Sequence, residues 1–168
     1  MGVKNEHFLE SNDIVFGFGA AAPSSSTVQR FSMKNFQRAS VLIFQNKGAA
    51  NGSAIALKQA KEVDDNPSVE KVLEFTKAYR SLAVGSQAAP VNNWAEFTVA
   101  ANTFTTDATN GTRDAYMIDI KAEDLDIDGG FDVVEVEIGN AASNVLAVVI
   151  LLHEARNAGF PVDSGIAD

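Results

Sequence analysis

Among 168 residues the chain has no cysteine, two histidines, one tryptophan and two tyrosines. Without cysteine, neither a disulfide nor a thiolate metal site can hold the fold together, so stability has to come from packing and backbone pairing. With only His7 and His153, a histidine-based metal site lacks ligands. Basic residues are also few: 13 Lys and Arg stand against 22 Asp and Glu, for a net charge of −9. That balance argues against a nucleic-acid partner, because binding one relies on basic groups that neutralise phosphates. The longest apolar run, Val145 to Leu152, is far too short to span a bilayer. The polar start MGVKNEHFLESND has no apolar signal core, and MGVKNE lacks the Ser or Thr of a myristoylation site. The expectation is a soluble chain made inside a cell, with no membrane partner.

What is present is apolar and periodic. A 46% hydrophobic content in a chain of this length favours one domain with a sizeable core. Residues 1–27 read as an N-terminal arm. IVFGFG supplies Ile14, Val15, Phe16 and Phe18, then gives way to small residues, Pro23 and serines, so the arm is expected to be extended or flexible, either docked through its Phe residues on its own domain or a neighbour or left as a partly ordered tail. From residue 28 to 160 turn signals come at intervals suited to an all-β domain, followed by a short tail, 161–168. KNFQ reads as a turn, RASVLIFQ as a mostly buried strand, and SAIALKQAKEV as a strand with Ile55 and Leu57 on one face. With Asn51-Gly52 between them, the last two are expected to form a hairpin.

The stretch VEKVLEFTKAYRSLAV fits a helical stripe through Val69, Val72, Thr76, Tyr79 and Ala83. It fits equally a strand with Leu73, Phe75 and Tyr79 on one face. Neighbouring strands favour the second reading. WAEFTVAANTFTTD reads as a strand, bulged or not, and Asn110-Gly111 as a turn. DAYMIDIKA sets Tyr116, Ile118 and Ile120 against Met117, Asp119 and Lys121, and FDVVEVEIG sets Val134, Val136 and Ile138 against Val133, Glu135 and Glu137. NVLAVVILLHEAR is apolar on both faces, as for a central strand covered by a second layer. Eight or nine short strands with little helix point to a mainly β, two-layer antiparallel β-sandwich, with the jelly roll among its forms.

Chemistry is sparse. DLDIDGGFDVVE follows the ligand order of a calcium loop, through Asp124, Asp126, Asp128, the Gly130 carbonyl, Asp132 and Glu135. Both flanks read as strands, however, and strand geometry does not wrap Glu135 back around the loop. The preferred reading is an acidic connection in which Gly129-Gly130 turns the chain and aspartates cap backbone N–H groups. No metal site is therefore assigned, and no cofactor. A Ser-His-Asp triad would have to use His7 or His153, and no G-x-S-x-G stretch exists. His153 reads as a strand-end residue with a satisfied ring. GFG at 17–19 lacks the context of a phosphate loop. Asp64/Asp65 and Glu135/Glu137 read as solvated acidic faces. No nucleophile, base and orienter can be assembled, so no catalytic residue is assigned and the chain is expected not to be an enzyme. Eleven Phe against one Trp favour burial and interfaces over sugar stacking.

FSMKNFQRASVLIFQNKGA, ALKQAKEVDDN, KVLEFTKAY, YMIDIKAEDLDIDGGFDVVEVEIG and VLAVVILLHEARNAG together resemble a family of small virion structural proteins of tailed bacteriophages. The likeness spans residues 28–160, and none of its pieces is a catalytic motif. It implies a capsid decoration (cement) protein located on the virion surface and synthesised in the host cytoplasm. The implied partners are the major capsid protein and further copies of the chain, as a homo-oligomer of trimer type. Ile14 to Phe18 is the first candidate for contact with a neighbour, and an exposed strand edge the second. Two alternatives belong beside it: a neck, tail or fibre module that binds host-surface glycans, and a β-sandwich with a calcium-stiffened loop.

Overall fold

Alternation of buried and less buried side chains, clearest over Phe36–Asn46 and Val145–Ala155, makes strands of most of the described residues. In a computed structural model the described residues are 8, 12–23, 27–48, 52–64, 69–81, 93–108, 113–139 and 143–156. They form eleven strands: β1 (Asp13–Ala21), β2 (Thr27–Ser32), β3 (Phe36–Asn46), β4 (Ala54–Ala60), β5 (Glu70–Val72), β6 (Lys77–Ser81), β7 (Ala95–Thr98), β8 (Thr103–Thr105), β9 (Arg113–Lys121), β10 (Val133–Ile138) and β11 (Val145–Ala155). Two short 3-10 turns, Ala122–Asp124 and Ile127–Gly129, interrupt them. Among the described residues no helix is long and apolar enough to cross a membrane. His7, Asp65, Asn51, the Asn110-Gly111 turn and the tail 161–168 lie outside the described residues.

The strands build two antiparallel sheets. The larger has the order β1-β11-β3-β9-β6-β7; the smaller has β2-β10-β4-β5, with β8 also paired to β4. Four pairings are nested. Asp13 faces Leu152, Thr27 faces Ile138, Arg38 faces Lys121 and Ala54 faces Thr105. As one partner advances along the chain the other retreats almost in step. A long two-ply ribbon folded and rolled in this way is a jelly roll, with β5, β6 and β7 inserted at its far end.

The nesting corrects two expectations. β3 and β4 are not a hairpin, because β3 pairs with β11 and β9 while β4 pairs with β10, β5 and β8. The chain crosses from one sheet to the other between them. Likewise WAEFTVAANTFTTD is two strands in different sheets, β7 and β8, separated by a turn at Ala101, whose φ is 64°. The ambiguous stretch after residue 69 is strand, as β5 and β6. Leu73 is buried, Phe75 packs against the core, and Val72 remains exposed.

The core lies between the sheets. On the larger sheet an inward row runs Val15, Ile150, Val41, Ile118, each opposite the next and all buried. The smaller sheet answers with Phe31, Val134, Val136, Ile138, Ile55 and Leu57, also buried. At one end Phe75, Phe97, Phe104 and Tyr116 close the core edge to face, with Phe97 and Phe104 centroids 5.3 Å apart. Such offset pairs suit the charge distribution of aromatic rings.

β1 settles the place of the expected arm. Ile14 to Phe18 lies on the chain's own β11, so the first strand of the sandwich falls within residues 1–27 and the sheet begins at Asp13. A bulge sits between Phe16, opposite Val149, and Phe18, opposite Val148. The extra residue, Gly17, puts the two phenylalanines on different faces. Phe18 packs against the core while Phe16 remains 79% exposed. A Cβ on Gly17 would lie 3.1 Å from both Val148 and Gln29, so only glycine fits without displacing them.

Candidate functional site: two outer faces of opposite character

Strands present alternate residues to opposite faces, so the row beside the core row fixes what each sheet shows outside. On the larger sheet that row is Phe16, Val149, Leu42, Met117, Tyr79, in register across five strands. Ile14 and Leu151 flank it on one side, and Ala147, Phe44 and Ala115 on the other. Phe16, Phe44, Ile14 and Val145 are among the exposed large apolar side chains, and Leu42, Met117, Val149 and Leu151 are half-buried. No described residue of the chain packs a further layer on this face. β11, read as a central strand covered by a second layer, lies between β1 and β3 and packs its inner face on the core. The face carries a hollow of about 230 Å³, walled by Ala20, Phe44, Val145 and Ala147, with Asn46, Arg113 and Asp114 also in its lining.

The polar end of the same face gathers charged groups. An open depression of about 490 Å³ is lined by Arg38, Lys121, Glu123, Glu154 and Arg156. Its charges are largely paired: Lys121 with Glu123 at 2.9 Å and Arg38 with Glu154 at 3.5 Å. Beside it the Ser40 hydroxyl donates to Asp119 Oδ1 at 2.6 Å and lies 3.2 Å from His153 Nε2. The three residue types of a hydrolytic triad thus meet, but in the wrong order. A triad needs the imidazole to take the serine proton and the acid to orient the imidazole. Here the carboxylate receives the serine hydrogen bond directly and contributes nothing to the ring. The ring of His153 is satisfied by Ser40 on an open sheet face.

The smaller sheet shows charge instead. Arg30, Glu135 and Lys58 stand opposite one another across β2, β10 and β4. Arg30 donates through Nε to Glu135 at 2.7 Å, through Nη1 to the Asp64 carbonyl at 2.9 Å, and pairs with Glu70 at 3.3 Å. Lys58 reaches Glu70 at 2.9 Å and Glu135 and Glu137 at 3.3 Å each. Glu135 is fully buried beneath this network. The Lys58 hydrogen bond holds the Glu70 carboxyl below the usual glutamate range, and Glu70 in turn raises the Lys58 ammonium above its ordinary value. Glu135 and Glu137 were read as a solvated face; the pair is instead paired with cations, and Glu135 is shut away from water.

That geometry also settles where the acidic loop points. Glu135 faces Arg30 and Lys58, on the strand, away from the other five members of the calcium pattern. Asp124 accepts from the Lys121 backbone N–H at 3.0 Å. Asp126 accepts from the Gly129 N–H at 3.1 Å and pairs with Lys71 at 2.8 Å, which lowers its pKa. The Asp132 carbonyl accepts from Met33 N–H at 2.7 Å. Gly130, at φ 82°, turns the chain in the left-handed region. Lys61 and Lys71 lie over the Phe131 ring, at 4.9 and 5.8 Å. The Asp124 and Asp126 carboxylates serve the turn's own backbone N–H groups, and no group of three or more metal-ligating side chains converges among the described residues.

Sequence reasoning singled out Phe16 as a contact and met Met117, Tyr79 and Asp119 only as members of their strands, while Leu42, Phe44 and Ser40 were not singled out at all. Alternation places each of these on its strand. Only the pairing of the strands places them together.

No family model matches the chain, and no curated protein matches it. Among solved structures, an adhesin domain of Lys-gingipain from Porphyromonas gingivalis is 13% identical over 82% of this chain and 71% of its own, with a TM-score of 0.31. The coat protein of Tobacco streak virus is 14% identical over 97% and 96%, at 0.30. A disulfide-linked pilus of Bacillus endospore appendages is 10% identical over 86% and 87%, at 0.28. Scores this low carry no weight, and the functional reading rests on the chain's own surfaces.

Proposed function

We propose that the chain is a non-enzymatic structural protein of a tailed-phage virion: a decoration protein that binds outside the head, bridges capsid subunits and associates with its own kind. One observation carries the reading. An uncharged apolar row, Phe16, Val149, Leu42, Met117 and Tyr79, spans five strands of the larger sheet in an acidic chain. Contiguous exposed apolar patches of this kind mark surfaces that meet other proteins. Their burial on assembly supplies a driving force of about 25 cal/mol per Å² of apolar surface. A protein that binds only the closed shell stabilises that shell by mass action, to a degree set by affinity and occupancy. The buried ion-pair network and the nested β pairing give the domain the rigidity such a clamp needs.

Glycan recognition by a tail or fibre module has less behind it. The two phenylalanines exposed on the outer face, Phe16 and Phe44, cannot donate hydrogen bonds to a sugar, which leaves Tyr79 as the aromatic donor of its central row. The test is to delete the gene from the phage that encodes the chain and to image and heat the particles. Heads lacking it are expected to assemble but to release DNA at a lower temperature, with added protein restoring them. Leu42→Glu combined with Val149→Lys is expected to prevent that rescue. If the chain is absent from intact particles, or if heads without it are as heat-resistant as the parent, the proposal fails.

A further inference from the structure

The apolar face of the larger sheet carries its own complement. Phe16 projects from the β1 edge with four-fifths of its surface in solvent. Elsewhere on the same face lies the apolar hollow beside Phe44 and Val145. A projecting aromatic and a cavity on one surface satisfy each other reciprocally across a two-fold axis, since each copy then gives its knob to the other's hollow. We infer that two copies of this chain pack face to face through the outer surfaces of their larger sheets, with Phe16 of each seated in the hollow of its partner. This rests on the reading of that face as an assembly surface and names its occupant.

Charge and a rim already in place favour a second copy. Five strands at about 4.8 Å cover roughly 19 Å, and Val145 to Leu151 covers roughly 20 Å along β11, a flat footprint on the order of 400 Å². A stable interface needs about 800 Å² from each partner, with an apolar centre and a polar rim. The face supplies that rim at its margins, through Asp119, Arg38, Lys121 and His153 at one end and the Lys77–Glu96 pair near another. Charge selects the face as well. With a net charge of −9, two copies repel each other over most approaches. Phe16, Val149, Leu42, Met117 and Tyr79 bear no formal charge at neutral pH, and the rim mixes both signs. Along this approach two identical acidic molecules meet through a row without formal charge. β-Sheets of opposed molecules also stack readily at about 10 Å, the spacing already used inside the sandwich.

The proposal is tested with the full chain by sedimentation velocity over a concentration series. The wild type is expected to run as a dimer, and Phe16→Asp to weaken the dimer by about tenfold or more, the loss typical of an anchoring residue. Because Phe16 touches solvent and not core, the melting temperature of the Phe16→Asp monomer should match that of dissociated wild type. A chain without cysteine permits a second measurement. Phe16→Cys and Val145→Cys chains, each unable to cross-link with itself, should form an intermolecular disulfide when mixed under oxidation. A monomeric wild type, a trimer, a dimer indifferent to Phe16→Asp, or absence of the mixed cross-link would each overturn the inference. If the wild type is monomeric and yet Leu42→Glu abolishes rescue of particles, the face is an assembly surface for a different protein. The second copy is then discarded and the assembly reading kept.

Discussion

Glu135 shows how much can hang on one side chain. It sits fully buried on the outer side of the smaller sheet, held by Arg30 and Lys58. A buried ion pair contributes little beyond a well-packed apolar pair, but removing one partner strands a charge. Glu135→Ala should therefore cost about 3–5 kcal/mol in urea denaturation, and Arg30→Met with Glu135→Leu should recover most of that loss. Acid should loosen the same network. The Glu70 carboxyl is lowered by Lys58, so its contribution is present above the ordinary glutamate value of about 4.3 and is lost as pH falls through the lower folded value. Urea midpoints measured from neutral pH downward should fall only below that range. At the alkaline end burial pushes the Tyr116 phenol up to about 12. Its contribution is intact below the unfolded value of about 10 and is lost as pH rises through the folded one. Absorbance of phenolate should show one tyrosine ionising with that delay, together with loss of structure.

At the scale of elements, β1 and the 122–132 connection carry the specific predictions. Gly17→Val places side-chain atoms where Val148 and Gln29 already stand, 3.1 Å from a Cβ. It should cost about 1–3 kcal/mol and leave β1 less protected from hydrogen exchange than β3. Phe16→Ala, one residue away, should leave stability nearly unchanged. In the acidic connection Asp126 is spoken for by Lys71 and the Gly129 N–H, and Glu135 faces the opposite way. Adding calcium or a chelator is expected to leave the melting temperature where it was. A calcium-dependent rise would mean that the loop rearranges to gather its carboxylates.

Across the whole molecule the nested pairing makes most contacts remote in sequence. β1 meets β11 and β2 meets β10 only after nearly the full chain is available. High contact order of this kind slows folding. Removing residues 1–22 takes away β1 and uncovers the edge of β11, so the truncated chain should be destabilised and prone to edge-to-edge association. The expected measurement is a lower melting temperature with light scattering that rises on heating. This differs from the effect of Phe16→Asp, which addresses the outer face and leaves the edge covered.

Strand identity was legible wherever one face is buried. Tyr116, Ile118 and Ile120, or Val134, Val136 and Ile138, alternate because a pleated strand puts every second residue into the core. The absence of helix-wide stripes, apart from the stretch after residue 69, was enough to give a mainly β sandwich. The turn at Lys34-Asn35 was equally plain, since its signals are local. Partnership was not legible. Alternation says which way a residue points and nothing about which strand lies beside it, so β3 and β4 looked like a hairpin although they belong to different sheets. The same gap concealed both surface features. Leu42, Met117 and Tyr79 sit far apart in the chain, and only the register of β3, β9 and β6 makes them one apolar row. Glu135 could be read as a metal ligand from spacing, yet tertiary pairing turns it toward Arg30, a partner 105 residues away. Composition and periodicity thus determined the class of fold, because it depends on residue type and nearest neighbours. The three-dimensional pairing alone decided which face stays open, because that depends on contacts between segments the sequence holds far apart.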